Sequence, residues 1–291
     1  MTSPVLASLD VRPLSGAIGA EVVGVDLANL SDEQWAAIHD AWLEHLVLFF
    51  PDQHLTPDEH VAMGRRLGEI DIHPFISKLD DEHPEVAVIA GTRGYADNWH
   101  TDVTFSETPP LASILRMDTL PARGGDTLFS NQYLAYETLS APMRQLLDGL
   151  TTVHTAYEYR HPEQSARHPA VCVHPETGRK MLYVNRVFTS HFPELSRRES
   201  DMLLNELVDW SEQASFQCRY RWTEGAVAMW DNRCTQHYGA NDYDDLRVVH
   251  RVTVVGERPI GPDRPDWPVF DDVNTKVSNH RRIAPVGPVR S

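Results

Sequence analysis

Between Val86 and His174 the chain sets short apolar or β-branched runs between Gly, Pro, Asp and Asn residues, over and over. Runs of that length bounded by turn residues predict strands, and the pattern resumes over 215–221, 226–230 and 248–256. Helix signals lie mostly at the flanks. Ser31 with Gln34 forms a capping box ahead of Trp35, Ile38, Trp42 and Leu46 at helical spacing, which predicts a helix over 32–45. Thr56-Pro57 opens a second helix through about Leu67 with Gly68 as its stop, Ser196 with Glu199 caps a third to about Trp210, and a short one is expected over 141–149. Leu46–Phe50 is a continuous apolar run ended by Pro51, as in a strand buried on both faces. The glycines at 16, 19 and 24 lie among short strands and turns; their spacing fits no dinucleotide loop and no helix follows directly. Many short strands with flanking helices exclude an alternating βαβ protein and predict a mainly β fold with a jelly-roll, or double-stranded β-helix, core. No repeat or low-complexity linker divides the chain, so residues 1–291 are expected to form one domain with an irregular tail from about 259.

Charge narrows the partners. Lys plus Arg total 26 against 42 Asp plus Glu, a formal net charge of -16. With no basic block, nucleic acid and anionic membrane surfaces are excluded as partners. A small anionic substrate stays open, because a few buried arginines set the local potential. No apolar run is long enough to span a bilayer and the first residues lack a secretory pattern, so a cytoplasmic protein is expected. Cys172, Cys218 and Cys234 form no close pair and read as core residues rather than disulfides or zinc ligands.

The chemistry concentrates in three places. His100-Thr101-Asp102 lies in a segment, 98–105, that reads as extended; in a strand, residues i and i+2 face one side, so imidazole and carboxylate can reach one metal ion. Alone, such a pair is common by chance. His237, at the end of a downstream strand, would complete a two-His, one-carboxylate face that suits Fe(II) and leaves coordination positions open. Arg247 and Arg251 follow ten and fourteen residues later in strand-like sequence, on one face, where a guanidinium fork can hold a carboxylate or sulfo group. Each residue also has a bland reading. Arg247 could neutralise the acidic turn at Asp242, Asp244 and Asp245; His73 could be a loop residue; Phe105 and Phe188 could be plain core; and His154, His161, His168, His174 and His191 read as surface or loop histidines.

Order along the chain decides between them. Asn98-Trp99-His100-Thr101-Asp102-Val103-Thr104-Phe105, Gly124-Gly125-Asp126-Thr127, Trp230-Asp231-Asn232-Arg233 through Gln236-His237, and His250-Arg251-Val252-Thr253 together resemble the taurine dioxygenase family, which includes alkylsulfate and 2,4-dichlorophenoxyacetate dioxygenases. The resemblance runs through nearly the whole chain. It implies an Fe(II)- and 2-oxoglutarate-dependent dioxygenase using O2, with His100, Asp102 and His237 as iron ligands and the distal carboxylate of 2-oxoglutarate on Arg247 and Thr127. Asp102 argues against a halogenase, where a small residue replaces this carboxylate. By the same resemblance, Arg251, His73 and the backbone N–H of Val103 match a sulfo-group site, with Phe105 and Phe188 lining the pocket. Positions that match the taurine amine contacts are Ile76 and Ala96. An unpaired amine there costs about 1–3 kcal/mol per polar group, which disfavours taurine and favours an apolar tail. The resemblance also implies a homo-oligomer, a dimer or tetramer.

The leading expectation is hydroxylation of the carbon next to a sulfonate or sulfate-ester headgroup. An alternative keeps the chemistry with a carboxylate-bearing or secondary-metabolite substrate; another is a catalytically silent jelly-roll metal-binding protein. The stretch from about Phe75 to Asn98 is expected to close over the substrate as a loop.

Overall fold

The computed structural model describes residues 9–73, 75–92, 97–263, 265 and 267–270. In chain order β1 (Asp10–Pro13) and β2 (Ala20–Val23) precede α1 (Asp32–His45), β3 (Val47–Phe50), α2 (Pro57–Arg65), β4 (Ile70–Asp71), β5 (Ala87–Gly91) and β6 (Ala112–Thr119). Next come β7 (Thr127–Asn131), α3 (Gln132–Glu137), α4 (Ala141–Asp148), β8 (Thr151–Ala156), β9 (His161–Pro169), β10 (Val171–Val173), β11 (Lys180–Leu182) and β12 (Thr189–His191). The chain closes with α5 (Arg197–Ser211), β13 (Gln217–Tyr220), β14 (Val227–Asp231), β15 (Thr235–Gly239) and β16 (Arg247–Val254).

Capping boxes start α1, α2 and α5 at Ser31, Thr56 and Ser196, where the spacing places them. Helix α2 stops at Arg65, short of Leu67, because its last turn tightens: the amides of Arg66 and Leu67 bond three residues back, to Met63 and Gly64. Helix α3 is too short to carry a periodic signal and is nucleated by Asn131, whose side chain accepts from the amides of Tyr133 and Leu134.

Two sheets face each other. The major one runs β1-β2-β3-β14-β6-β16-β4, with β5 also on β16; the minor one runs β13-β7-β15. Strand β3 shows why its sequence is apolar throughout. Val47 and Phe49 join the core between the sheets, with Phe129, Cys218, Tyr220 and Trp230. Leu48 and Phe50 face the other way, onto Ile38 and Trp42 of α1 and Met63 of α2. Period-two alternation buries both sets. A third core packs α3, α4 and α5 on β10 and β11. The chain crosses from the major to the minor sheet between β14 and β15, at 232–234, and that crossing carries the site.

Two expectations change. Segment 98–105 is not a strand: only His100 pairs with a neighbour, and 102–105 form a turn in which Val103 takes a φ of 53°. The stretch after Phe75 is not all loop either, since β5 pairs antiparallel with β16 from Ala87↔Arg251 to Gly91↔Arg247. Beyond β16 the described residues form no helix or strand. They nevertheless bond along the body through the Val173 amide to Ile260 O at 2.7 Å and the Phe270 amide to Pro193 O at 2.8 Å. The three cysteines are buried and unpaired. No described helix is long and apolar enough to cross a membrane.

Candidate active site

His100 and His237 are joined by a reciprocal pair of backbone bonds, His100 N–H to His237 O at 3.1 Å and His237 N–H to His100 O at 2.8 Å. This sets their rings side by side, centroids 4.1 Å apart. The Asn98 carbonyl lies 2.8 Å from His100 Nδ1. A carbonyl only accepts, so Nδ1 carries the proton and Nε2 keeps its lone pair. Asp102 is held at every polar atom. Asn232 accepts from its N–H at 2.9 Å and donates to its carbonyl at 3.1 Å. Ser113 donates to Oδ2 at 3.0 Å and Arg251 Nη1 to Oδ1 at 2.8 Å. Oδ1 then faces both imidazoles, 3.7 Å from His100 Nε2 and 3.9 Å from His237 Nε2. One first-row cation with bonds of roughly 2.0–2.2 Å can bridge such a span.

The electrostatics match that use. Burial pushes His237 down to about 3, reinforced by His100, and burial also lowers His100, so both rings are neutral as ligation requires. Burial alone would raise the Asp102 carboxyl; the Arg251 guanidinium outweighs it and holds it well below the ordinary range. The donor set, two neutral imidazoles and one carboxylate, fits Fe(II).

The expected cosubstrate residues lie on two strands of the site: β7 pairs with β15 at Phe129↔His237, and Arg247 opens β16, which carries Arg251. Thr127 opens β7 and pairs with Gly239 at the end of β15. Trp222 Nε1 donates to Thr127 Oγ1 at 2.9 Å, which leaves the hydroxyl proton free to donate onward. Arg247 donates through Nε to Gly125 O at 3.0 Å, and among the described residues no carboxylate lies within ion-pair distance of it. Burial lowers its guanidinium. The acidic-turn reading fails because Arg219 is the residue that pairs with Asp126 and Asp242. Gly125 has a structural reason: at φ 73° a Cβ would sit 3.0 Å from Arg247 Cδ.

His73 and Arg251 are both buried on the Asp102 side. His73 Nδ1 accepts from the Phe75 amide at 3.1 Å, so in the neutral ring Nε2 bears the proton. Burial, then Arg251, pushes His73 down to about 4. Both His73 Nε2 and Arg251 Nε are buried without a hydrogen-bond partner among the described residues. Val103, Phe105 and Phe188 form one apolar cluster with Ala156, Phe75 and Tyr159. The Phe188 ring lies 6.2 Å from that of His100 and 5.3 Å from that of Phe105. Beside Val103 and Phe105 opens a cavity of about 400 Å³, lined also by Asp71, Ile72, Ser106 and Gln164. Ile76 is half-buried in the loop after His73; Ala96 lies outside the described residues.

Sequence spacing missed several participants. Tyr159 and His161 both stack on Phe75, with centroids at 5.0 and 4.9 Å, closing the β8–β9 connection onto the loop after His73. His154, His168 and His174 are fully buried, not surface residues. His154 Nδ1 and Asn185 Nδ2 reach Thr104 Oγ1 at 2.9 and 3.1 Å, and His168 Nε2 donates to Thr104 O at 2.9 Å. They anchor the turn that holds Val103 in left-handed backbone, a strain of about 1–3 kcal/mol for a β-branched residue. His174, Asp231 and Cys234 form a second donor group. His174 has no lone pair to give a cation there, because Nδ1 accepts from the Glu176 and Thr177 amides and Nε2 therefore bears the proton and donates to Asp231 Oδ2 at 2.9 Å.

A sequence model of the family described as taurine catabolism dioxygenase TauD, TfdA family, matches residues 10–253. The chain is 37% identical over 276 residues to a protein of Acinetobacter baylyi named alkylsulfatase, covering 87% of each. It is 37% identical over 285 residues to an alpha-ketoglutarate-dependent sulfate ester dioxygenase of Pseudomonas putida, covering 90% of this chain and 94% of that one. A crystal structure of a taurine dioxygenase from Burkholderia xenovorans superposes with a TM-score of 0.81 at 42% identity, over 91% of this chain and 97% of that one.

Proposed function

The chain belongs to the TauD/TfdA family of α-ketoglutarate-dependent dioxygenases, and on that premise we propose that it oxidises a small sulfate ester or sulfonate at the carbon next to the sulfo group. Family membership sets aside the silent binding protein. In this reading His100, Asp102 and His237 hold Fe(II), Arg247 and Thr127 hold the distal carboxylate of 2-oxoglutarate, and Arg251, His73 and the Val103 N–H receive the headgroup. One observation carries it: beside the proposed iron ligands two buried donors, Arg251 Nε and His73 Nε2, have no partner among the described residues. Leaving them so costs about 1–3 kcal/mol each, and a tetrahedral oxyanion offers acceptors to both. The two relatives whose names specify sulfate esters or their hydrolysis, each 37% identical, support the same class.

Iron, 2-oxoglutarate and O2, when bound, supply the chemistry that turns C–H into C–OH, with succinate and CO2 as co-products. The protein does the positioning. Arg247 offers a fork for the far carboxylate, which fixes the long axis of the cosubstrate. Arg251 and His73 fix the sulfo group, so that the adjacent carbon is presented toward the metal ligands. Phe105, Phe188 and Tyr159 keep water from that carbon. Hydroxylation there leaves a hydroxyl on the carbon that bears the leaving group: the C–O bond of a sulfate ester breaks to aldehyde and sulfate, the C–S bond of a sulfonate to aldehyde and sulfite.

Purified protein with Fe(II), ascorbate and 2-oxoglutarate should form succinate and aldehyde in equal amounts from alkyl sulfates, with release of sulfate. Absence of succinate across alkyl sulfates, sulfonates and aryloxyacetates overturns the reading. A carboxylate headgroup remains the second reading because a (S)-phenoxypropionate/alpha-ketoglutarate-dioxygenase of Delftia acidovorans is 31% identical over 264 residues. Sulfate and carboxylate compounds with the same tail separate the two. The family match over 10–253 also supports one dioxygenase domain; the proposed homo-oligomer is measured by light scattering.

A further inference from the structure

We propose that Arg251 couples the metal centre to the anion pocket, so that cation and headgroup bind cooperatively; this rests on the headgroup reading above. The side chain faces both sites. Nη1 donates to Asp102 Oδ1 at 2.8 Å, while Nε, also buried, has no partner among the described residues. Oδ1 is the oxygen turned toward His100 Nε2 and His237 Nε2, and Oδ2 is held away by Ser113. The guanidinium would therefore share Oδ1 with a cation held by the three ligands, and its charge would oppose the cation at close range.

Among the described residues Asp102 is the sole ion-pair partner of Arg251. Asp71 acts on it only from beyond ion-pair distance, and neutral His73 contributes a donor but no charge. A divalent cation on Oδ1 thus strips a buried arginine of its counter-charge, which is costly where water cannot compensate. An anion on Nε restores that charge and draws the guanidinium toward itself. The same anion without the metal must compete with Asp102 for one positive charge. Each ligand removes the penalty met by the other, which is positive coupling and must be reciprocal.

Mn(II) is the probe, titrated by calorimetry into metal-free protein in chloride buffer, with and without saturating butyl sulfate. The Mn(II) Kd should fall roughly tenfold with butyl sulfate, within the common five- to 150-fold range, and Mn(II) should tighten butyl sulfate by the same factor. Arg251→Gln removes the charge. It should bind Mn(II) more tightly than wild type when no anion is present, whereas a merely structural arginine would give weaker binding. If butyl sulfate binds but leaves Mn(II) affinity unchanged, or if Arg251→Gln binds Mn(II) more weakly, the coupling is wrong and the headgroup pocket stands. If butyl sulfate binds neither the Mn(II)-loaded nor the metal-free protein, the pocket reading fails and the coupling with it. Should Arg251→Gln not fold, the two wild-type titrations decide alone.

Discussion

Asn232 holds Asp102 by both of its backbone groups, accepting from the N–H at 2.9 Å and donating to the carbonyl at 3.1 Å; it also donates to Pro110 O at 3.0 Å. One amide at the crossing between the sheets thus fixes the backbone of a candidate iron ligand. Asn232→Ala leaves three buried backbone groups without their partner, at about 1–3 kcal/mol for each that finds no water. We expect about 2–4 kcal/mol of lost stability, together with metal affinity weakened about 10- to 100-fold, as for other residues that support ligands. Thermal unfolding and Mn(II) titration check the two parts. Unchanged Mn(II) affinity in the folded variant would show that the amide serves packing alone.

The Arg247 site separates fork from charge. Arg247→Lys keeps a cation but loses the planar pair of donors, so we expect 2-oxoglutarate binding about 10- to 100-fold weaker, the loss of about 1.5–3 kcal/mol of charge-assisted bonding. Trp222→Phe removes only the donor that orients Thr127 Oγ1. Its loss should be smaller, about 2- to 10-fold. Titration of 2-oxoglutarate into Mn(II)-loaded protein measures both, and equal effects would contradict the assignment of Arg247 as the principal contact.

Most of the fold is legible because its signals are local. Three capping boxes mark α1, α2 and α5, and the apolar run of β3 announces a strand covered on both faces. The order of His100, Asp102, His237, Arg247 and Arg251 along the chain was enough to nominate the site. The strand argument for His100 and Asp102 nevertheless fails. Their geometry comes from a backbone pairing with His237 and from Asn232, 130 residues away in sequence, while the turn between them and Phe105 hangs on His154 and His168. Buried polar networks carry no periodicity, so those histidines resemble surface residues until the sheets are assembled.

Their burial has a measurable consequence. His60, on α2, bonds Ile114 O at 3.0 Å and is pushed down to about 3 by burial; His154 is lowered well below its ordinary value by burial and by His168. Below about pH 6.5 the unfolded chain protonates these rings while the folded chain does not. The unfolded state then holds more protons, so stability falls as pH falls, by about 1.4 kcal/mol per pH unit for each such ring, until the folded value is reached. His60→Gln should flatten the slope between pH 6.5 and 4.5 by about one proton in urea unfolding. An unaltered slope would mean that His60 is already charged in the fold.

Selectivity tests the pocket most directly. Among the described residues the rings of Phe75, Phe105, Tyr159 and Phe188 cluster beside His73 and Arg251, while Asp71 and Gln164 line the neighbouring cavity next to Val103 and Phe105. Rings attract a cation by about 0.5–1 kcal/mol at exposed sites and about 2 or more when desolvated. The faces of Phe75, Phe105 and Phe188 give no acceptor to ammonium N–H groups, each of which costs about 1–3 kcal/mol when buried unpaired. With two or three N–H groups unmet the penalty exceeds the attraction. Propane-1-sulfonate replaces the ammonium of taurine by a methyl group at nearly constant length and keeps the sulfo group on Arg251 and His73. Its kcat/KM should exceed that of taurine about 5- to 100-fold, the kinetic equivalent of about 1–3 kcal/mol. Because both compounds share the headgroup, a preference for taurine would locate an acceptor within the pocket and contradict an apolar tail, without touching the assignment of the sulfo site.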